Sequence, residues 1–137
     1  MRQSAVTFKT KGLNFEGVVA TPDDAEGKTP DGKFPGVVIC HPHPLFGGNM
    51  DNNVVLAVAF GLVEQGFAVL RFNFRGVGNS EGEHTKGEKE FEEALGGLDF
   101  MRAWQQVDSD RLGILGYSFG TGVILGSPIL QKRPKVF

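Results

Sequence analysis

Three short runs, Gly36-Val37-Val38-Ile39-Cys40, Phe67 to Phe74 and Arg111 to Leu115, constrain this chain more than any other feature. They are dominated by apolar residues without the strict alternation of a strand that has one wet face. Each therefore reads as a strand covered on both sides, as in a parallel sheet. Parallel neighbours need a crossover, and helical segments follow the runs. The first is expected at roughly Asn53 to Gln65, with Asp51 and Asn52 as caps and Gly66 as its stop. In the second, Phe91, Ala94, Leu95, Leu98, Met101 and Trp104 recur at helical spacing, which marks them as core. Thr85-Lys86-Gly87-Glu88 fits a capping box for that helix, with Thr85 as N-cap and Glu88 reaching back. Asp108 to Asp110 reads as a turn before the third run, and Thr121 to Leu125 begins another helix.

Upstream, Val6-Thr7-Phe8 and Phe15 to Ala20 read as strands joined by a turn at Lys11-Gly12, a connection so short that they must be antiparallel. Thr21 to Phe34, rich in Pro, Gly, Asp and Lys, is a solvated loop and not a domain boundary, since the piece before it is too small to fold alone. The order β-β-β-α-β-α-β-α predicts one α/β domain over residues 1–137. It begins with an antiparallel hairpin and continues as a parallel sheet with helices on both faces.

Composition narrows the function classes. A formal net charge of −2 offers no broad basic face for nucleic acid or anionic lipid. The most apolar stretch, Val54 to Val63, is about half the roughly 20 residues that cross a bilayer, and the first residues lack the apolar core of a signal peptide. Cys40 is the single cysteine, so no disulfide forms within the chain, and the cytoplasm is the expected compartment. Cys40 itself, at a strand end, reads as a buried small hydrophobe.

Gly116-Tyr117-Ser118-Phe119-Gly120 carries the strongest chemical signal. Between a strand and a helix, this pattern lifts a serine hydroxyl above the sheet, and small residues two before and two after it let the chain pass. Acyl transfer also needs two backbone N–H groups aimed at the developing oxyanion. One belongs to the residue after the nucleophile, Phe119. The other is expected from His41-Pro42-His43-Pro44-Leu45-Phe46-Gly47-Gly48, the loop after the first buried strand. Proline has no N–H, which leaves His43 or Leu45, and His43 is preferred by its distance from the strand end. His41 and His43 could alternatively share a zinc, although the remaining candidates, Asp51 and His84, stand at no recognisable ligand spacing.

In Asn73 to Gly82 a third glycine is missing from the dinucleotide fingerprint, because Glu81 occupies its place. The interval Gly82 to Gly87 resembles a P-loop, but Glu88 stands where its lysine belongs. Arg75 is thus read as an organiser of the loop ahead of a ligand contact. Leu45, Tyr117 and Arg75 complete the expected binding residues. No cofactor or resident metal is expected, and the expected partner is a small acyl substrate.

These motifs together resemble the α/β-hydrolase superfamily, most closely its small dienelactone-hydrolase-like members. The likeness rests on His41 to Pro44 with Gly47-Gly48-Asn49-Met50-Asp51-Asn52, on Arg71-Phe72-Asn73-Phe74-Arg75-Gly76-Val77-Gly78 with Ser80, and on Gly116 to Gly120. Dienelactone hydrolase has cysteine at the elbow, where this chain has Ser118. The resemblance covers about Ala5 to Gly122. It implies the N-terminal part of a hydrolase sheet, a serine nucleophile, and a triad completed by an acid and then a histidine. No Asp, Glu or His follows Ser118 in this sequence, so the last strands of the sheet are expected to be missing and the chain to be truncated. His43, beside the oxyanion position, is the histidine best placed to stand in as base.

The leading expectation is a serine hydrolase of carboxylic esters or related acyl bonds, inactive in this form for want of a base. Two alternatives stand beside it: a non-catalytic fragment that self-associates through an exposed sheet edge, and a metal-dependent hydrolase using His41 and His43. The sequence from Ser127 onward, basic and holding two prolines, is expected not to continue the amphipathic helix behind the elbow.

Overall fold

A computed structural model describes residues 1–23 and 32–132. Most of the Thr21 to Phe34 loop and the last residues of the chain lie outside the described part.

The sheet has five strands in the order β1-β2-β4-β3-β5: β1 (Arg2–Thr10), β2 (Leu13–Thr21), β3 (Phe34–Cys40), β4 (Ala68–Phe72) and β5 (Val107–Gly116). The β1–β2 hairpin turns at Lys11 and Gly12, both with positive φ (50° and 81°), the backbone that suits the twist of a two-residue hairpin. β2 runs antiparallel to β4, and β3 runs parallel to both β4 and β5. The hairpin and the three buried strands are those expected from the sequence.

Helix α1 (Asn53–Glu64) covers one face and α2 (Phe91–Ala103), α3 (Phe119–Leu125) and α4 (Pro128–Lys132) the other. The pleat divides each central strand between the two cores. Val38 and Cys40 of β3 and Leu70 and Phe72 of β4 pack with Leu98 and Met101 of α2 and Val123 and Ile124 of α3. Ile39 and Val69 point the other way, onto Val55, Ala59 and Val63 of α1.

Three local expectations are corrected. Asn52 alone caps α1, its Oδ1 accepting from the N–H groups of Val54 and Val55 at 2.9 and 3.2 Å. Asp51 instead meets the Arg71 guanidinium of β4 at 3.4 Å. Before α2 it is Glu90, not Glu88, whose carboxylate reaches back, accepting from the N–H groups of Thr85 and Gly87 at 2.8 and 3.0 Å. The helix starts five residues later than a capping box at Thr85 would place it, with Glu90 as N-cap in place of Thr85, because the buried Glu90 is already needed to close that loop. Asp108 to Asp110 forms a bulge inside β5, as Val107 still pairs with Phe34 before Leu112 pairs with Gly36. Behind the elbow, α3 ends at Leu125 and a new turn of helix begins at Pro128.

The two sheet edges differ. β1 carries Arg2, Gln3 and Lys9 and is mostly exposed, the usual protection of an edge. β5 is apolar from Leu112 to Leu115 and borders a cleft of about 410 Å³ lined by Val37, Leu62, Phe67, Leu112 and Ile114.

Candidate active site

β3 and β5 end on the same rung, where Cys40 pairs with Gly116 and the N–H of Tyr117 still donates to the Cys40 carbonyl at 3.1 Å. The chain then reverses sharply. Ser118 has φ 58° and ψ −113°, a backbone that disfavours any side chain and costs on the order of 1–3 kcal/mol. Two bonds hold it there, from Gly120 N–H to the Tyr117 carbonyl at 3.1 Å and from Gly122 N–H to the Ser118 carbonyl at 3.2 Å. A methyl group on Gly120 would overlap the Cys40 carbonyl, and one on Gly116 would lie 2.5 Å from the Thr121 nitrogen. This crowding is the physical reason for both glycines. Ser118 is exposed at the tip, and Tyr117 beside it is 42% exposed. Phe119 opens α3, so its N–H has no acceptor within the helix.

Facing the elbow is the loop after β3. His41 is fully buried; its Nε2 accepts from the Phe74 N–H at 3.1 Å, and its Nδ1 donates to the Pro42 carbonyl at 2.7 Å. Burial lowers its pKa to about 4, only partly opposed by the Pro42 bond. Both ring nitrogens are thus committed to backbone, which corrects the reading of His41 and His43 as a zinc pair. Among the described residues no group of His, Cys, Asp and Glu is placed to hold a metal ion.

His43 has a different environment. Its Nδ1 accepts the Leu45 N–H at 3.1 Å, and its carbonyl accepts from Phe46 and Gly48 at 3.1 and 2.9 Å. Leu45 has therefore spent the N–H that made it a rival for the oxyanion, while the His43 N–H finds no acceptor among the described residues. The His43 ring lies 5.0 Å from the Phe119 ring, which brings this loop and the elbow together. Leu45 and Phe46 project into solvent on a single 3-10 turn. Cys40, beneath Gly120, is buried, and burial pushes its thiol well above the usual range, which disfavours the thiolate.

The loop after β4 encloses this region with paired polar groups. The Glu16 carboxylate on β2 accepts from the Asn73 side-chain amide at 2.9 Å and from the Asn79 backbone. Asn73 Oδ1 in turn accepts the Met50 N–H at 2.8 Å. Arg75 is turned inward rather than toward Ser118. Its guanidinium meets Glu93 at 2.7 Å and Glu92 at 2.9 Å and also donates to the Lys89 carbonyl at 3.1 Å. The bond to Glu93 raises the Arg75 pKa; burial is the larger influence on Glu93 and pushes its carboxyl up, with Arg75 opposing it. Burial also acts to raise Glu90, but the hydroxyl and N–H of Thr85 and the N–H of Gly87 outweigh it and hold that carboxylate below its ordinary value.

Sequence reading missed Glu16 and Glu90. Glu16 sits 57 residues from Asn73, and no local pattern announces such a pairing. Glu90 lies near His84, with 3.3 Å between Oε2 and Nδ1, at a separation of six residues that has no helical or strand meaning.

Residues 46–137 match the model of the prolyl oligopeptidase family. An uncharacterized protein of Rickettsia prowazekii is 35% identical over 124 residues, covering 90% of this chain and 51% of that protein. A crystal structure from Xanthomonas campestris, described as an α/β serine hydrolase without a lid, superposes with a TM-score of 0.80 at 31% identity, covering 96% of this chain and 58% of that one. An α/β serine hydrolase homologue from Coxiella burnetii gives 0.74 at 34% identity, covering 90% and 55%. The chain spans about half the length of the curated relatives it matches.

Proposed function

Because the chain belongs to the prolyl oligopeptidase family, within the α/β-hydrolase superfamily, we propose that it carries the nucleophile half of a serine hydrolase acting on carboxylic esters or related acyl bonds. Ser118 Oγ attacks the acyl carbon, and the N–H groups of Phe119 and His43 receive the oxyanion. Leu45 and Tyr117 flank the acyl group. The base and its acid belong, in this reading, to the part of the relatives' length that this chain does not span. The observation that carries the proposal is the backbone of Ser118. A serine kept at φ 58° and exposed, ahead of a helix whose first N–H is uncommitted, is a costly arrangement with no packing purpose. The single cysteine fits work in the cytoplasm. The test is labelling by a fluorophosphonate. With no base in this chain, wild type should take up the probe slowly, as an unassisted serine beside an oxyanion hole would, and Ser118→Ala should not take it up at all; folded wild type that labels no faster than Ser118→Ala overturns the proposal.

The apolar β5 edge favours a second reading, in which chains associate through that edge. Size-exclusion runs at micromolar concentration should then show dimers or larger species, and a clean monomer eliminates it.

A further inference from the structure

Three rings meet where the loop after β3, the loop after β4 and the start of α3 converge. His84 lies 5.1 Å from His43 and 5.4 Å from Phe119, centroid to centroid, and His43 and Phe119 close the triangle at 5.0 Å. A phenylalanine would pack there as well by size. Yet both ring nitrogens of His84 are buried without a hydrogen-bond partner among the described residues, which is an unfavourable place for a neutral imidazole. The Glu90 carboxylate, itself wholly buried, lies 3.3 Å from Nδ1 but out of line for a hydrogen bond. Glu90 is fixed by Thr85 and Gly87 at the start of α2. An imidazolium at His84 would place a charge beside that carboxylate, an attractive arrangement.

We infer that His84, seated on Glu90, is a positioning residue that sets the rings of His43 and Phe119 and, through them, the two backbone N–H groups assigned above to the oxyanion. The inference rests on that assignment. His84 touches no reacting atom; it ties the wall of the site to the N-terminus of α2. The titratable groups facing it are Glu90 from α2 and His43 from the loop after β3, while α3 presents the uncharged Phe119. Glu83 and Lys86 flank it on its own loop.

The test uses the full chain and has two arms. In the first, the His84 imidazole and the backbone amides of His43 and Phe119 are followed by NMR between about pH 5 and pH 8, the range in which histidines exchange protons. Both amides should move with the midpoint of the His84 ring, and that shared step should vanish in His84→Phe, which keeps a ring but not the pair with Glu90. A charge that merely packs nearby also shifts amides through its field, so the deciding reading is the pattern of NOEs between the His43 and Phe119 rings, which should change in His84→Phe if His84 sets those rings and stay as in wild type if it only packs. In the second arm, fluorophosphonate labelling of Ser118 should slow about three- to tenfold in His84→Phe, as misaimed oxyanion donors would cause, and recover in part in His84→Gln. Amides that ignore the His84 titration, or a folded His84→Phe that labels at the wild-type rate, overturn the inference. If wild type does not label at all, the proposed hydrolase function fails, and the NMR arm alone decides whether His84 positions these groups.

Discussion

The loop after β4 and the elbow after β5 lie at the same end of one sheet, yet they are held by opposite means. The loop is kept in place by groups that are present: Arg75 on Glu92 and Glu93, Glu16 on Asn73 and Asn79, and Glu90 on Thr85 and Gly87. Beyond its two backbone hydrogen bonds, the elbow is kept in place by groups that are absent, since its glycines let two backbones pass closer than any side chain allows. The first region should fail when atoms are taken away and the second when atoms are added. The difference also separates structure from chemistry. The loop spends its polar groups on itself, whereas the elbow leaves a hydroxyl and an amide uncommitted.

The hardest blow to this contrast comes from removal in the loop. Glu93→Ala leaves the Arg75 guanidinium buried without its principal partner, and stability measured by urea unfolding should fall by about 3–5 kcal/mol. Next is His41, just past the end of β3, which ties the loop after β3 to the loop after β4 by accepting the Phe74 N–H. Its folded pKa of about 4 lies below the unfolded value of 6.5, so the native state favours the neutral ring. That contribution is fully present above pH 6.5 and is lost as pH falls toward 4, at most about 3 kcal/mol for a shift of this size. Urea unfolding of wild type and His41→Asn across that window should show the steeper loss in wild type. Equal slopes would mean that His41 does not link the two loops in this way.

Addition at the elbow should cost less in stability and more in chemistry. Gly120→Ala forces a methyl group into the Cys40 carbonyl, for an expected loss of about 1–3 kcal/mol with labelling of Ser118 abolished. If Gly120→Ala is neutral in both measurements, the elbow is not held by close approach. The smallest expected effect has the opposite sign: Ser118→Gly relieves the positive φ and should raise stability by about 1 kcal/mol while removing the nucleophile.

The contrast also explains what could be read from the sequence. The elbow was legible because steric demands act between near neighbours, and Gly116, Ser118 and Gly120 announce them together. The buried strands were legible because a parallel sheet asks for apolar residues on both faces, which Val37 to Cys40 supply. The loop was legible only as punctuation. Its partners lie across the fold, with Glu16 far from Asn79 in sequence and Glu93 a full loop and one helical turn beyond Arg75. Glu88 looked like the capping residue because Thr85 to Glu88 has the right spacing, and spacing cannot reveal that Glu90 is the carboxylate that becomes buried.

The bulge in β5 bears on how this fold can change length. Between its pairings with Phe34 and Gly36 the sheet partner advances two positions, while β5 advances five, from Val107 to Leu112. The surplus is taken up before the strands fall back into step, and from Leu112 to Gly116 every residue has its counterpart in β3. Insertions or deletions among Asp108 to Arg111 can therefore be absorbed without moving Ser118. One residue gained or lost beyond Leu112 would turn the strand over and carry the serine away from the His43 loop. A library of length variants should accordingly be tolerant on one side of Leu112 and barren on the other.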